Sequence, residues 1–197
     1  VTLGDCCTLN KYQQLDANSL SQLRTKCGNV KLLPSSKDYD WVSTKELTSN
    51  FICNGEIITL GKARYANIKY CKGDFVSANN VIIESNAPSK ILTKYLFYYC
   101  LKKNKNFYVE GTTYPKFDLN SFNKCLVPLY SIEEQTYIVS ICDAIQQQVD
   151  LLNKQLTLLD ELIKSRFIEM FETIDLSEEQ MNWTELKDVA KIYTGTT

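Results

Sequence analysis

The sequence contains no histidine. That removes the commonest general base, the commonest metal ligand and every catalytic triad built on imidazole. No stretch approaches the roughly 18–20 consecutive apolar residues of a membrane-crossing helix, which excludes a spanning protein. The first residues, Val1-Thr2-Leu3-Gly4-Asp5-Cys6-Cys7, lack a basic segment followed by an apolar core and do not read as a secretion signal. Eight cysteines are present, but no two are spaced Cys-x-x-Cys and no histidine completes a zinc set. A chain of 197 residues, 44% hydrophobic and 23% charged, has an ordinary globular balance. Its cysteines therefore read as reduced thiols acting as small apolar residues in a cytoplasmic protein.

Glycine and proline are missing from Ser131 to Thr194, whereas the first 130 residues hold six of the seven glycines and all four prolines. Pro128 stands just before the boundary, and Ser131 with Glu134 three residues on forms a capping box. A helix is expected to start there. Its apolar residues recur in alternating steps of four and three: Ile138, Cys142, Ile145, Val149, Leu152, Leu156, Leu159, Ile163, and onward to Met170. This is a heptad seam, and the off-seam positions include Asp143, Gln146, Asp150, Lys154 and Asp160. About 40 residues give a rod of roughly 60 Å. One reading packs such a helix on its own domain, but a domain of about 130 residues is only some 30 Å across. The seam is therefore expected to meet a second helix from another chain or another copy.

The net charge of −1 conceals a division. Residues 1–130 hold 17 Lys and Arg against 10 Asp and Glu, and residues 131–197 hold 5 against 13. A basic front suggests a polyanionic partner. The front reads as mixed α and β. Residues 56–60, 66–70 and 75–84 look like strands, with a turn at Lys72-Gly73-Asp74. Pro88-Ser89 opens a helix closing at Lys102, Lys103 and Lys105, residues 14–25 hold a short helix, and residues 124–130 form a last strand. The expected class is α+β: a mixed domain over 1–130, a long coiled-coil helix over 131–175 and the start of a further element over 176–197. A weak echo of Leu3–Leu9 in Leu186–Ile192 agrees with that last assignment.

No catalytic constellation emerges. Gly55 to Ala63 imitates a phosphate loop, but five residues separate the glycines and Ala63 replaces the hydroxyl that would hold magnesium. Glu133 and Glu134 suit a helix start, where the dipole favours carboxylates. What remains is a basic, tyrosine-rich front. Lys62, Arg64, Lys69 and Lys72 interleave with Tyr65, Asn67 and Tyr70, and Thr113, Tyr114 and Lys116 lie in a polar loop after Gly111. Such residues can neutralise phosphates and read base edges. Solvated charge and core packing explain them equally well.

The loop Gly111-Thr112-Thr113-Tyr114-Pro115-Lys116-Phe117, the segment Cys125-Leu126-Val127-Pro128-Leu129, the run Ile132-Glu133-Glu134-Gln135 and the helix ending Leu162-Ile163-Lys164-Ser165-Arg166-Phe167 together resemble the specificity subunit of type I restriction–modification enzymes. The likeness is specific from 111 to 171 and diffuse before that. It implies a target recognition domain followed by a spacer helix, about half of a full subunit, with Trp183 to Ala190 resembling the opening of a second recognition domain. It also implies a non-catalytic role. The domain would bind one half of a split double-stranded DNA target through Lys62, Arg64, Tyr65, Asn67, Lys69, Lys72, Asn80, Thr113, Tyr114 and Lys116. The helix would pair with a second half-subunit or another copy through Ile138, Cys142, Ile145, Val149, Leu152, Leu156, Leu159, Ile163 and Met170. A homodimer would then read a palindromic split site. Methyltransferase and restriction subunits would supply the chemistry, with S-adenosylmethionine, ATP and magnesium bound there and no cofactor or metal in this chain. The competing expectation is a head on a dimerising rod that binds protein and not DNA.

Overall fold

The computed structural model describes residues 1–9, 11–62, 67–111 and 113–172, together with residues 184, 185, 188 and 190. It divides into two units, Val1–Ile145 and Gln146–Thr197. The expected opening of a second recognition domain, residues 176–197, lies almost wholly outside the described residues.

The first unit is α+β. Its strands are β1 (Cys7–Leu9), β2 (Gln14–Leu15), β3 (Val30–Leu33), β4 (Val42–Ser43), β5 (Cys53–Gly61), β6 (Lys69–Ala78), β7 (Asn80–Ser85), β8 (Tyr108–Val109) and β9 (Lys116–Phe117). Its helices are α1 (Leu3–Cys6), α2 (Ala17–Gln22), α3 (Lys45–Thr48), α4 (Thr93–Lys103) and α5 (Leu119–Lys124), and α6 (Ile132–Glu172) begins within it. Seven strands form one mixed sheet in the order β1-β7-β5-β6-β3-β4, with β2 also pairing β6, while β8 and β9 form a separate hairpin. β5 is the hub. It pairs antiparallel with β6 from Cys53↔Phe75 to Thr59↔Lys69 and with β7 from Ile58↔Ile83 to Gly61↔Asn80.

Burial explains the layout. Ile58, Leu60, Val81 and Ile83 of the sheet pack against Tyr95, Leu96 and Cys100 of α4 and against Phe107 and Phe122, all nearly inaccessible to solvent. Leu20 of α2 covers Val30, Leu32 and Val76, and Leu33, Ile57, Phe75 and Ile82 form a third cluster. The eight cysteines are free thiols, four of them buried. Among the described residues no helix is long and apolar enough to cross a membrane.

Three local expectations need correction. Lys72-Gly73-Asp74 is not a turn. β6 runs straight through it, Gly73 sits opposite Gly55 at φ +111°, and the chain reverses at Asn79 with φ +54°. Asparagine tolerates that left-handed backbone. A Cβ at Gly55 would lie 2.4 Å from Tyr12 Oη, so a larger residue there would have to push the end of the Tyr12 side chain aside. The helix after Pro88 starts only at Thr93. Residues 124–130 make no strand beyond an isolated bridge between Leu126 and Thr2, flanked by Leu3 N–H to Cys125 O and Val127 N–H to Val1 O, each 2.8 Å.

The capping box does form. Glu134 N–H donates to Ser131 Oγ at 3.2 Å, and Ser131 N–H donates to Glu134 Oε2 at 2.9 Å. From there α6 runs 41 residues.

Candidate nucleic-acid interface

The connection between β5 and β6 begins at Lys62 and ends at Ile68, and each end is tied to a different neighbour. At its start, Phe117 N–H donates to Lys62 O at 3.0 Å and Tyr108 Oη donates to Gly61 O at 2.7 Å. These bonds seat the β8–β9 hairpin against the end of β5. Two basic groups far apart in sequence therefore meet in space, with Lys62, Thr113, Tyr114 and Lys116 all exposed. Gly111 makes the hairpin loop possible, because a Cβ there would fall 2.4 Å from Tyr114 O.

At its other end, Asn67 Nδ2 donates to Ser35 O at 2.6 Å. Lys69 goes further inward. Its side chain is buried, and its Nζ donates to Pro34 O and, at 2.7 Å, to Ser36 O. Burial lowers its pKa to about 8, opposed by the nearby Asp38 carboxylate. Tyr39 lies with its ring 5.6 Å from Lys69 Nζ and donates from Oη to Ile68 O at 2.6 Å.

These positions revise the expected DNA set. Lys69 cannot offer its ammonium to a phosphate, because its donors already serve backbone carbonyls inside the fold. Asn80 is fully buried, and its Nδ2 donates to Leu33 O at 2.8 Å and Ser77 Oγ at 3.0 Å. It holds strands together and does not face outward. Lys72 is exposed but pairs with Glu56 at 3.2 Å directly across the strands, several residues from the Lys62 end. Arg64 and Tyr65 lie outside the described residues.

The start of α6 belongs to the first unit. Gln135 is fully buried, and its amide donates to Lys90 O and Tyr130 O, each at 2.9 Å. Asp143 accepts from Lys94 Nζ at 2.7 Å and from Tyr98 Oη at 2.5 Å. Ile138 and Val139 pack against the main core. The first seam residues thus cover their own domain, as the simpler expectation held, and Cys142 is half-buried. The heptad count leaves Asp143 off the seam, yet it faces α4, where its partners Tyr98 and Lys94 lie 45 and 49 residues away in sequence. In the second unit every seam residue from Val149 to Met170 is exposed, between 43% and 66%. Leu151, Leu158 and Leu162, which the heptad count passes over, are exposed beside them.

Comparison with known proteins settles the family. The model of the type I restriction modification DNA specificity domain matches residues 1–161. The chain belongs to that family. A specificity domain of this kind is the non-catalytic part of its system. The structure is similar to the type I restriction–modification S subunit from M. genitalium, at 13% identity and a TM-score of 0.62, over 89% of this chain and 46% of that one. A chain from a structure of the assembly and conformational transition of a type I system matches at 15% identity and a TM-score of 0.55, over 84% of this chain and 42% of that one. At such identities the likeness speaks for the fold alone. The specificity domain spans about half the length of these solved chains.

Proposed function

We propose that this specificity domain reads one half of a split double-stranded DNA sequence and directs separate methyltransferase and restriction subunits to it in the cytoplasm. The observation that carries this reading is the convergence of Lys62 with Thr113, Tyr114 and Lys116 at one end of a domain of this family. Lysines there neutralise phosphates, while the threonine and tyrosine hydroxyls offer hydrogen bonds to phosphate or to base edges. The acidic second part makes no such offer. Residues 146–170 of α6 pair with a second helix of the same kind, from another copy or from a second half-subunit, and so set the distance between half-sites. Burying exposed leucines at about 1.5–3 kcal/mol each supplies the driving force. S-adenosylmethionine, ATP and magnesium serve the partner subunits.

Selection from a random duplex pool tests this reading, using the chain assembled with its methyltransferase subunit. Enrichment of two short specified blocks around an unspecified gap, with affinity that falls steeply as salt rises, is the expected result. A pool that stays random at every salt concentration contradicts it and favours the protein-binding head.

A further inference from the structure

We infer that the loop joining β3 to β4, residues 34–41, reads bases, and that Arg24 and Lys26 hold a backbone phosphate beside it. The inference rests on the DNA-reading function proposed above. No residue of this loop stands out in the sequence.

Two side chains fix the loop from beneath, Lys69 on Pro34 O and Ser36 O and Asn67 on Ser35 O, and the loop's own Tyr39 bonds back to Ile68 O. The acceptors for Lys69 and Asn67 are loop backbone carbonyls, so those two ties hold whatever side chains stand at Ser36, Lys37 and Asp38. Strands paired antiparallel as β3 and β4 are can be joined by two residues. A much longer loop, shaped by a buried ammonium that is costly to desolvate, serves something other than chain reversal. A loop already ordered before binding loses little entropy when it docks.

Its exposed side chains run from Ser36 through Lys37, Asp38 and Tyr39 to Asp40. Ser36 Oγ donates to Asp38 Oδ2 at 2.5 Å, which leaves the carboxylate oriented. Phosphates repel a carboxylate. A base edge welcomes one, because Asp accepts from the amino group that cytosine presents in the major groove. The far end of the loop reaches a polar pocket lined by Ser21, Arg24, Thr25, Lys26 and Asp40. The Arg24 guanidinium lies 5.1 Å from the Trp41 ring centroid, which steadies it. The Ser21 and Thr25 hydroxyls already donate to Asn18 O and to Cys27 O and Val42 O, so the two cations, which outweigh the single Asp40 carboxylate, are what suits one phosphate. The tie points Asn67 and Ile68 close the same β5–β6 connection that begins at Lys62, so loop and basic group share one end of the domain.

The test uses the chain assembled with its methyltransferase subunit, in a host without other adenine or cytosine methylation, and reads modified bases across the genome. A chain carrying Asp38→Asn with Ser36→Ala loses a carboxylate that favours the Lys69 charge, so it is expected to melt somewhat below wild type but to stay folded at the assay temperature. It should lose discrimination at one position of the half-site by about tenfold or more and keep the others. A chain carrying Arg24→Gln with Lys26→Gln should keep the motif and lower the salt slope of duplex binding by about 0.9. An unaltered motif in the first variant overturns the base-reading assignment, and an unaltered slope in the second overturns the phosphate site. A wild-type assembly that selects no sequence overturns the underlying function instead, which separates the two failures.

Discussion

Gln135 on α6 accepts a hydrogen bond from the backbone N–H of Leu92, the residue that opens α4, at 2.9 Å. Leu92 has no side-chain cap of its own. The buried amide therefore caps one helix from another while its nitrogen serves Lys90 O and Tyr130 O. Gln135→Leu leaves three part-buried backbone groups without that partner. A buried group left unsatisfied costs roughly 1–3 kcal/mol, and because water can reach these part-buried groups the total loss is expected at about 1–2 kcal/mol. Urea unfolding of the two proteins measures it.

The packing of α4 on α6 also depends on pH. Burial opposes the charge on Asp143, but the bonds from Lys94 and Tyr98 outweigh it and hold its carboxyl below the ordinary carboxylate value of 3.8. Its folded-state pKa is depressed, so the stabilisation is fully present above the unfolded value and is lost as pH falls through the folded one. Asp143→Asn is expected to be less stable than wild type at neutral pH. The difference should shrink below about pH 4, as paired thermal melts from about pH 2.5 to 7 would show.

Seam residues on either side of Ile145 are expected to fail differently. Ile138 packs on the domain core, so Ile138→Asp should unfold the domain. Leu152 and Leu156 are more than half exposed, so replacing both with Glu should leave the domain folded and abolish helix pairing. Sedimentation equilibrium with circular dichroism distinguishes the outcomes. A well-folded Leu152→Glu, Leu156→Glu assembly of unchanged size would show that the seam does not pair.

Lysines of the front should separate by their neighbours. Replacing Lys62 and Lys116 with Gln is expected to lower the salt slope of duplex binding by about 0.9 for each phosphate left unneutralised. Lys72→Gln should leave the slope unchanged, because Lys72 answers Glu56. Lys69→Gln should instead lower the melting temperature, since its ammonium is internal. Fluorescence anisotropy across a salt series is sufficient for the first two.

How much of this is legible in the sequence follows the range of the interactions. The start of α6 is legible because Ser131 and Glu134 bond within one helical turn. Its seam is legible because a helix writes its faces at fixed spacing. Gly73 misleads because its partner is Gly55, across a strand pair. Lys69 and Asn80 mislead because a polar residue in a strand reads as outward unless the carbonyls that receive it, here Pro34, Ser36 and Leu33, are known. The pairing of Lys62 with the Lys116 hairpin runs through long-range bonds from Phe117 N–H and Tyr108 Oη, which no local pattern encodes. Family resemblance locates the function. It does not locate the face.

The most direct measurement of the central claim is the pattern of modified bases in a host genome when this chain is co-expressed with its methyltransferase subunit. A split motif is expected, two short specified blocks around an unspecified gap, with the blocks as inverted repeats if two copies of this chain pair through α6. Methylation with no shared motif, or with one continuous motif and no gap, would contradict it.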